Sequence, residues 1–260
     1  LKQSLAEHLR VDTAQITLGN GSNDVLDLIA RVALQPGSEA IIAEHSFVVY
    51  RLAVTCCGGD LVTVPAKDYG ADLDAMLAAV TERTRVVFLA NPNNPTGTWV
   101  AAAAIENFLQ QLRPEVWVVL DEAYFEYVDE VLYGNGLTLL DKYPNLIVTR
   151  TFSKIYGLAS VRLGYSVSSP EFADLLNRAR QPFNVNGLAM AAGLAAIAQS
   201  AAARLLEAGR TARAIYARSS ACVRIGGVAA TALIPSAREC LSNAAGQVIR
   251  TSKHAIIRQH

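Results

Sequence analysis

The chain has 260 residues, enough for one large domain or two modest ones. Its 23 basic and 23 acidic side chains cancel, and no basic stripe or charge run is present, which argues against a nucleic-acid partner. At 52% hydrophobic the chain can bury a large core, yet no apolar run reaches the roughly 18 residues of a membrane-spanning helix.

Leu5 and Leu9 stand at helical spacing, so a helix is expected over 2–9. Thr17-Leu18 is a short extended lead into Gly19-Asn20-Gly21-Ser22-Asn23-Asp24. A helix over 22–34 follows, with Ser22 as its N-cap, and the free N–H groups of such a helix start form an anion site. Gln35-Pro36-Gly37-Ser38 is a turn. Ala40-Ile41-Ile42-Ala43 reads as a buried strand, 48–57 as a helix stopped by Gly58-Gly59, and 61–65 as a strand ending at Pro65. Asp72 caps a helix to about Val80. The strand 85–90 runs into Asn91-Pro92-Asn93-Asn94-Pro95-Thr96-Gly97, a loop that its prolines and glycine keep from becoming helix. An alanine-rich helix over 100–112 precedes the strand 116–120, which ends in Asp121-Glu122-Ala123-Tyr124. A loop at 134–136, a short helix over 137–143 and strands at 145–149 and 163–167 come next. A helix over 170–180 and a helical region from 187 to about 218 follow, its alanine-rich part, 187–208, buried or half-buried. Strands and helices alternate, which predicts an α/β fold: a three-layer αβα arrangement with a mostly parallel, mixed sheet. After Ser219 the pattern degrades. The expected division is a large domain over 1–203, then an interdomain helix and an incomplete or divergent small domain over 204–260.

The chemistry centres on Thr151-Phe152-Ser153-Lys154, with Arg162 eight residues after the lysine. A phosphate needs donors and positive charge, which Ser153 and Arg162 supply. A lysine becomes a nucleophile when burial or a neighbouring cation lowers its pKa. Lys154 therefore reads as the amine that holds a carbonyl cofactor. Asp121, at the carboxyl end of a buried strand, faces the crevice where α/β sheets bind ligands and can pair with a protonated ring nitrogen. A dinucleotide-binding reading fails, because Asp24 stands where a third glycine after Gly19 and Gly21 is needed. Four cysteines, two of them adjacent as Cys56-Cys57, fit neither a disulfide framework nor a metal site, and read as buried, reduced thiols of a cytoplasmic protein.

Gly19-Asn20-Gly21-Ser22-Asn23-Asp24, Asn91 to Gly97, Asp121-Glu122-Ala123-Tyr124, and Arg150-Thr151-Phe152-Ser153-Lys154 with Gly157-Leu158-Ala159 and Arg162-Leu163-Gly164-Tyr165 occur in that order. Together they resemble the fold-type I pyridoxal-phosphate (PLP) aminotransferases, and within them the histidinol-phosphate aminotransferases, over roughly residues 1–215. The resemblance implies that Lys154 binds the PLP aldehyde and then acts as general base, and that Asp121 pairs with the ring nitrogen. It further implies that Tyr124 and Asn94 hydrogen-bond the ring's phenolic oxygen, that Phe47 stacks on the ring, and that Gly21, Ser22, Asn23, Ser153 and Arg162 bind the phosphate. No metal is implied. The implied reaction passes an amino group from a small-molecule donor, L-histidinol phosphate, to a 2-oxo acid, 2-oxoglutarate. The products are imidazole-acetol phosphate and L-glutamate, made in histidine biosynthesis by a cytoplasmic homodimer that needs neither nucleic acid nor membrane. Alternatives are an aromatic-amino-acid aminotransferase, a phosphothreonine decarboxylase, or a PLP-binding fragment without turnover. Two family features find no match: a partner-subunit tyrosine from the segment before Leu1, and a substrate-binding arginine in the small domain. A chain truncated at its N-terminus and divergent or frame-shifted at its C-terminus is the corresponding expectation.

Overall fold

The computed structural model describes residues 1–198. Their elements are α1 (Lys2–Leu9), β1 (Ile16–Gly19), α2 (Ser22–Ala33), β2 (Glu39–Ala43), α3 (Val48–Cys56), β3 (Asp60–Val64) and α4 (Leu73–Ala78). There follow β4 (Thr84–Ala90), α5 (Ala102–Gln111), β5 (Trp117–Asp121), β6 (Leu146–Thr151), β7 (Gly164–Val167), α6 (Pro170–Ala179) and α7 (Gly187–Ala198). The strands form one seven-stranded sheet in the order β1-β7-β6-β5-β4-β2-β3. All neighbours pair in parallel except β7, which runs antiparallel to both β6 and β1. The α/β expectation therefore holds, with the mixed character confined to β7.

Residue parity explains the three layers. Successive strand residues face opposite sides of a sheet. Val87, Leu89, Val118, Leu120 and Val148 face a core built with Met76 of α4 and Ile105, Phe108 and Leu109 of α5. Val86, Phe88, Val119 and Ile147 face the other core, with Val25, Leu26 and Ile29 of α2, Tyr50 and Val54 of α3, and Phe172 and Leu176 of α6. Each such fully buried aliphatic or aromatic side chain contributes about 1.5–3 kcal/mol. Both faces of the central strands are covered, which is why their sequences read as unbroken apolar runs.

The same parity sorts the polar residues at the strand ends. Asp121 and Thr149 fall on the side of α2 and α3, while Glu122 and Arg150 fall on the side of α5. Glu122 and Arg150 form a buried ion pair, with side-chain exposures of 1% and 6%, too low for water to screen it. Arg150 donates to Glu122 Oε2 from Nη2 at 2.6 Å and from Nε at 3.0 Å. The Gly136 amide donates to Glu122 Oε1 at 2.8 Å, Arg150 Nη2 also reaches Asn135 Oδ1 at 2.8 Å, and the guanidinium lies 3.9 Å from the Phe125 ring centre.

Four local expectations change. The segment expected as a helix over 137–143 is a single 3-10 turn, Gly136–Leu139. Its start is tied to the sheet through Asn135 and Gly136, which leaves no room for regular α-helix. Cys56 is exposed and Cys57 half-buried rather than buried. The buried stripe of α3 is Tyr50, Ala53 and Val54; Cys57 continues it past the helix end and Cys56 lies off it. Within α7 only Ala189 and Gly193 are buried, while Leu188, Met190 and Leu194 are exposed. Ser22 is not an N-cap, as described below. The helical stretch beyond Ala198, Cys222 and Cys240, the division at 203/204 and the small domain lie outside the described residues. Among the described residues no helix is long and apolar enough to cross a membrane.

Removing one member of a buried ion pair leaves the other charged and unpaired, at a cost of about 3–5 kcal/mol. Glu122→Ala is expected to destabilise the fold by that order in chemical denaturation. Glu122→Ala with Arg150→Met is expected to recover part of the loss. Equal stability of Glu122→Ala and parent would remove the pair from any structural role.

Candidate active site

A cleft of about 240 Å³ opens at the carboxyl ends of β4, β5 and β6, against the N-termini of α2 and α3. Ser22, Asn23, Phe47, Asn94, Asp121, Tyr124, Ser153, Lys154 and Arg162 all line it. Gly21 borders it through Arg162, whose Nη2 would lie 2.2 Å from a Cβ at position 21.

The N-cap of α2 is Gly21 rather than Ser22, and the Arg162 contact leaves no space for a side chain there. The Gly21 backbone has φ +82°, a region costly for residues that carry a Cβ. Ser22 is the first helical residue, and the first N–H groups of a helix have no partner within it. A Cβ on Gly164 of β7 would meet the Ser22 nitrogen at 2.2 Å, so helix start and strand are in close contact. Arg162 closes the cradle from the other side. Its backbone is left-handed at φ +59°, a strain of about 1–2 kcal/mol for a residue with a Cβ. It donates from Nη1 to the Ala159 carbonyl at 3.0 Å and to Ser153 Oγ at 3.4 Å. The start of α2, the Ser153 hydroxyl and the Arg162 guanidinium thus line the same cleft, a donor set suited to a phosphate.

Asp121 lies at the other end of the cleft, 4% exposed, so its charge is stable only if it is hydrogen-bonded. The Tyr50 hydroxyl donates to Oδ2 at 2.7 Å and Thr149 Oγ1 donates to Oδ1 at 2.9 Å. Burial pushes the Asp121 carboxyl above the usual carboxylate range, and these two bonds, the Ala123 backbone bond and the Lys154 charge pull it back. Burial and the Asp121 charge push the Tyr50 phenol well up, so it stays a donor. Each carboxylate oxygen can accept a further hydrogen bond, so Asp121 can still take an N–H from a ligand.

Lys154 follows β6 directly, and its Nζ sits 4.9 Å from the Tyr124 ring centre. It is exposed rather than buried, because it projects on the open side of the cleft. The loop after β4 is braced by its other amides. Asn91 brackets Val100, donating to its carbonyl at 3.1 Å and accepting its amide at 2.8 Å. Asn93 donates to the His45 carbonyl at 2.7 Å and to Thr96 Oγ1 at 2.8 Å. Asn94 is left facing the cleft. Phe47 caps the start of α3 and meets the Tyr50 ring edge-on at 5.8 Å.

Sequence reasoning assigned no site role to Tyr50 or Thr149, nor to Thr151 within its motif; Tyr50 and Thr151 both join the lining. Tyr50 stands one helical turn after Phe47. Thr149 is the register partner of Asp121 on β6. Neither pairing has a signal in the sequence, because helix packing brings Tyr50 to Asp121 and sheet register brings Thr149. Among the described residues no group of His, Cys, Asp or Glu could hold a metal ion. The cleft therefore combines an anion cradle, an amine and a buried carboxylate, a set that fits a planar phosphorylated heteroaromatic aldehyde.

The sequence pattern of the family described as aminotransferase class I and II matches residues 1–226. Histidinol-phosphate aminotransferase 2 of Pseudomonas fluorescens (strain Pf0-1) is 57% identical over 197 residues, which is 76% of this chain and 53% of that protein. The protein of the same name from Pseudomonas aeruginosa PAO1 is 58% identical, with the same shares covered. This chain thus spans about half the length of these curated relatives. The crystal structure of histidinol-phosphate aminotransferase from Sinorhizobium meliloti in complex with pyridoxal-5'-phosphate matches with a TM-score of 0.75 and 37% identity, over 79% of this chain and 56% of that one. L-threonine-O-3-phosphate decarboxylase from Porphyromonas gingivalis matches with a TM-score of 0.66 and 27% identity, over 77% of this chain and 58% of that one.

A hydrogen bond to a charged group contributes about 1.5–3 kcal/mol. Tyr50→Phe removes one that favours ionised Asp121 and should raise that carboxyl further. The raised folded pKa means that ionised Asp121 burdens the fold at high pH and that the burden lifts as pH falls through that pKa. The stability deficit of Tyr50→Phe is therefore expected in full above the variant's raised Asp121 pKa and should shrink as pH falls from there to the parent's. Thermal melts of both proteins across pH test this, and a pH-independent difference would dissociate Tyr50 from the Asp121 charge.

Proposed function

Since the chain belongs to the aminotransferase class I and II family, we propose that it binds pyridoxal phosphate in this cleft and carries the chemistry of a transaminase. The reading names L-histidinol phosphate as amino donor and 2-oxoglutarate as acceptor, in histidine biosynthesis. Relatives of that name at 57% and 58% identity support this choice over an aromatic amino acid. The observation that carries the proposal is one cleft holding the buried Asp121 carboxylate, the Lys154 amine and the cradle of Arg162, Ser153 and the α2 start.

When bound, pyridoxal phosphate supplies an aldehyde that captures amines and a ring that accepts the electron pair of a broken Cα–H bond. The residues have these roles in the proposal. Arg162, Ser153 and the amides of Ser22 and Asn23 bind the phosphate and fix one end of the ring. Asp121 accepts the ring N–H and holds that proton in place, with Tyr50 and Thr149 keeping the carboxylate ionised. Tyr124 and Asn94 donate to the phenolic oxygen. Phe47 covers one face of the ring and excludes water there. Lys154 would hold the aldehyde end of the cofactor through Nζ, and its free amine would serve as the base that moves the Cα proton to the former aldehyde carbon. The reading carries with it a homodimeric working unit in the cytoplasm.

Borohydride treatment of the chain incubated with pyridoxal phosphate should fix the cofactor on the peptide that contains Lys154. Labelling elsewhere with Lys154 unmodified would sink the assignment. L-Histidinol phosphate should then bleach the visible absorbance of the untreated complex, and L-threonine O-3-phosphate should not. Bleaching by the second alone would favour the decarboxylase reading.

Asp121→Asn is expected to retain the cofactor and slow this bleaching by more than tenfold, which corresponds to about 1.4 kcal/mol in the barrier. A rate within about threefold of the parent would exclude Asp121 as the ring's partner.

A further inference from the structure

The glycine loop Gly19-Asn20-Gly21 forms one wall of the anion cradle, and glycines lose more conformational freedom on folding than other residues. Something must hold the loop, and two side chains that do not line the cleft do so. Asp24, in the first turn of α2, accepts the Asn20 backbone N–H on Oδ2 at 2.8 Å. The same oxygen accepts Asn184 Nδ2 at 2.9 Å, and Nδ2 also donates to the Leu18 carbonyl at 3.0 Å. Arg180 donates from Nη1 to Asn184 Oδ1 at 3.3 Å. A guanidinium only donates, so it fixes which way the Asn184 amide points; turned over, its oxygen would face two acceptors. A single amide from the segment between α6 and α7 therefore fastens the strand entering the loop and, through Asp24, the loop itself.

Electrostatics make the carboxylate's place notable. A negative charge in the first turn of a helix whose start receives an anion repels that anion. The helix dipole favours the Asp24 charge at this place even though that charge opposes an anionic ligand, and the hydrogen bonds to Asn20 and Asn184 tie the carboxylate to the loop.

We propose that Asp24 and Asn184 are positioning residues that set the glycine loop for phosphate binding, an inference that rests on the reading of this end of the cleft as the cofactor's anion site. The role lies in geometry, not charge. Loss of either side chain weakens binding of a phosphorylated ligand and spares its unphosphorylated form.

The experiment is an absorbance titration of the whole chain with pyridoxal phosphate and, separately, with pyridoxal. Asn184→Ala and Asp24→Ala are each expected to raise the Kd for pyridoxal phosphate about tenfold, or about 1.4 kcal/mol, and to leave that for pyridoxal within about twofold. Asp24→Asn keeps an oxygen for both bonds and removes the charge, so it should bind pyridoxal phosphate as well as the parent or better. If Asn184→Ala does not fold, Asn184→Ser decides by the same ratio. Equal shifts for both ligands, no shift for either, or a tenfold loss in Asp24→Asn would each overturn the inference. A parent that binds pyridoxal phosphate no more tightly than pyridoxal would instead overturn the anion-site reading, and this inference with it.

Discussion

Burying the Asp121 carboxylate costs free energy that its hydrogen bonds chiefly offset, with help from the Lys154 charge, and the placing of those bonds organises the cleft. One donor must come from the neighbouring strand, which sets the register of β6 against β5. The other comes from α3, which must then pack so that Tyr50 is fully buried against Phe88, ring centres 5.0 Å apart. The same packing brings Phe47, one turn earlier, to the cleft's edge. A demand for two donors at one carboxylate thus fixes a strand, a helix and an aromatic wall together.

The pairs Asp121-Glu122 and Thr149-Arg150 show how adjacent residues divide labour across a sheet. One member of each pair reaches the cleft side and completes the Asp121 site. The other reaches the opposite side and completes a buried ion pair that also holds Asn135 and Gly136. A slip of one residue in register would exchange the two sets, placing a guanidinium beside the wrong acid. Buried ion pairs add little net stability compared with apolar packing, but they penalise mispairing strongly. The Glu122–Arg150 pair forms only in the register that also sets Thr149 beside Asp121, although neither Glu122 nor Arg150 lines the cleft.

The anion end relies on shape where the Asp121 end relies on donors. Gly21 and Gly164 let backbone and guanidinium approach to distances that any side chain would block. Arg162 accepts an unfavourable backbone conformation to aim its guanidinium back at Gly21. Such strain persists only where surrounding contacts over-determine it, here the bonds to Ala159 and Ser153.

The sequence by itself determined the α/β alternation and nearly every element, while its resemblance to the aminotransferases grouped Lys154, Asp121, Asn94, Ser153 and Arg162 in one cleft. These signals are local: apolar runs give strands, prolines and glycines give turns, and a ligand-binding residue sits at a strand's carboxyl end. The tertiary structure alone decided what each residue leans on. Tyr50 and Thr149 reach Asp121 across 71 and 28 positions, and Asn184 reaches Asp24 across 160. It also closed the space at Gly21, the helix cap, because Arg162, 141 positions later, fills the room a side chain would need. It exposed Cys56, because the orientation of α3 on the sheet, not the apolarity of a thiol, chose its buried stripe. Hydrogen-bond partners brought together by sheet register and helix packing leave no mark in the local pattern of either segment.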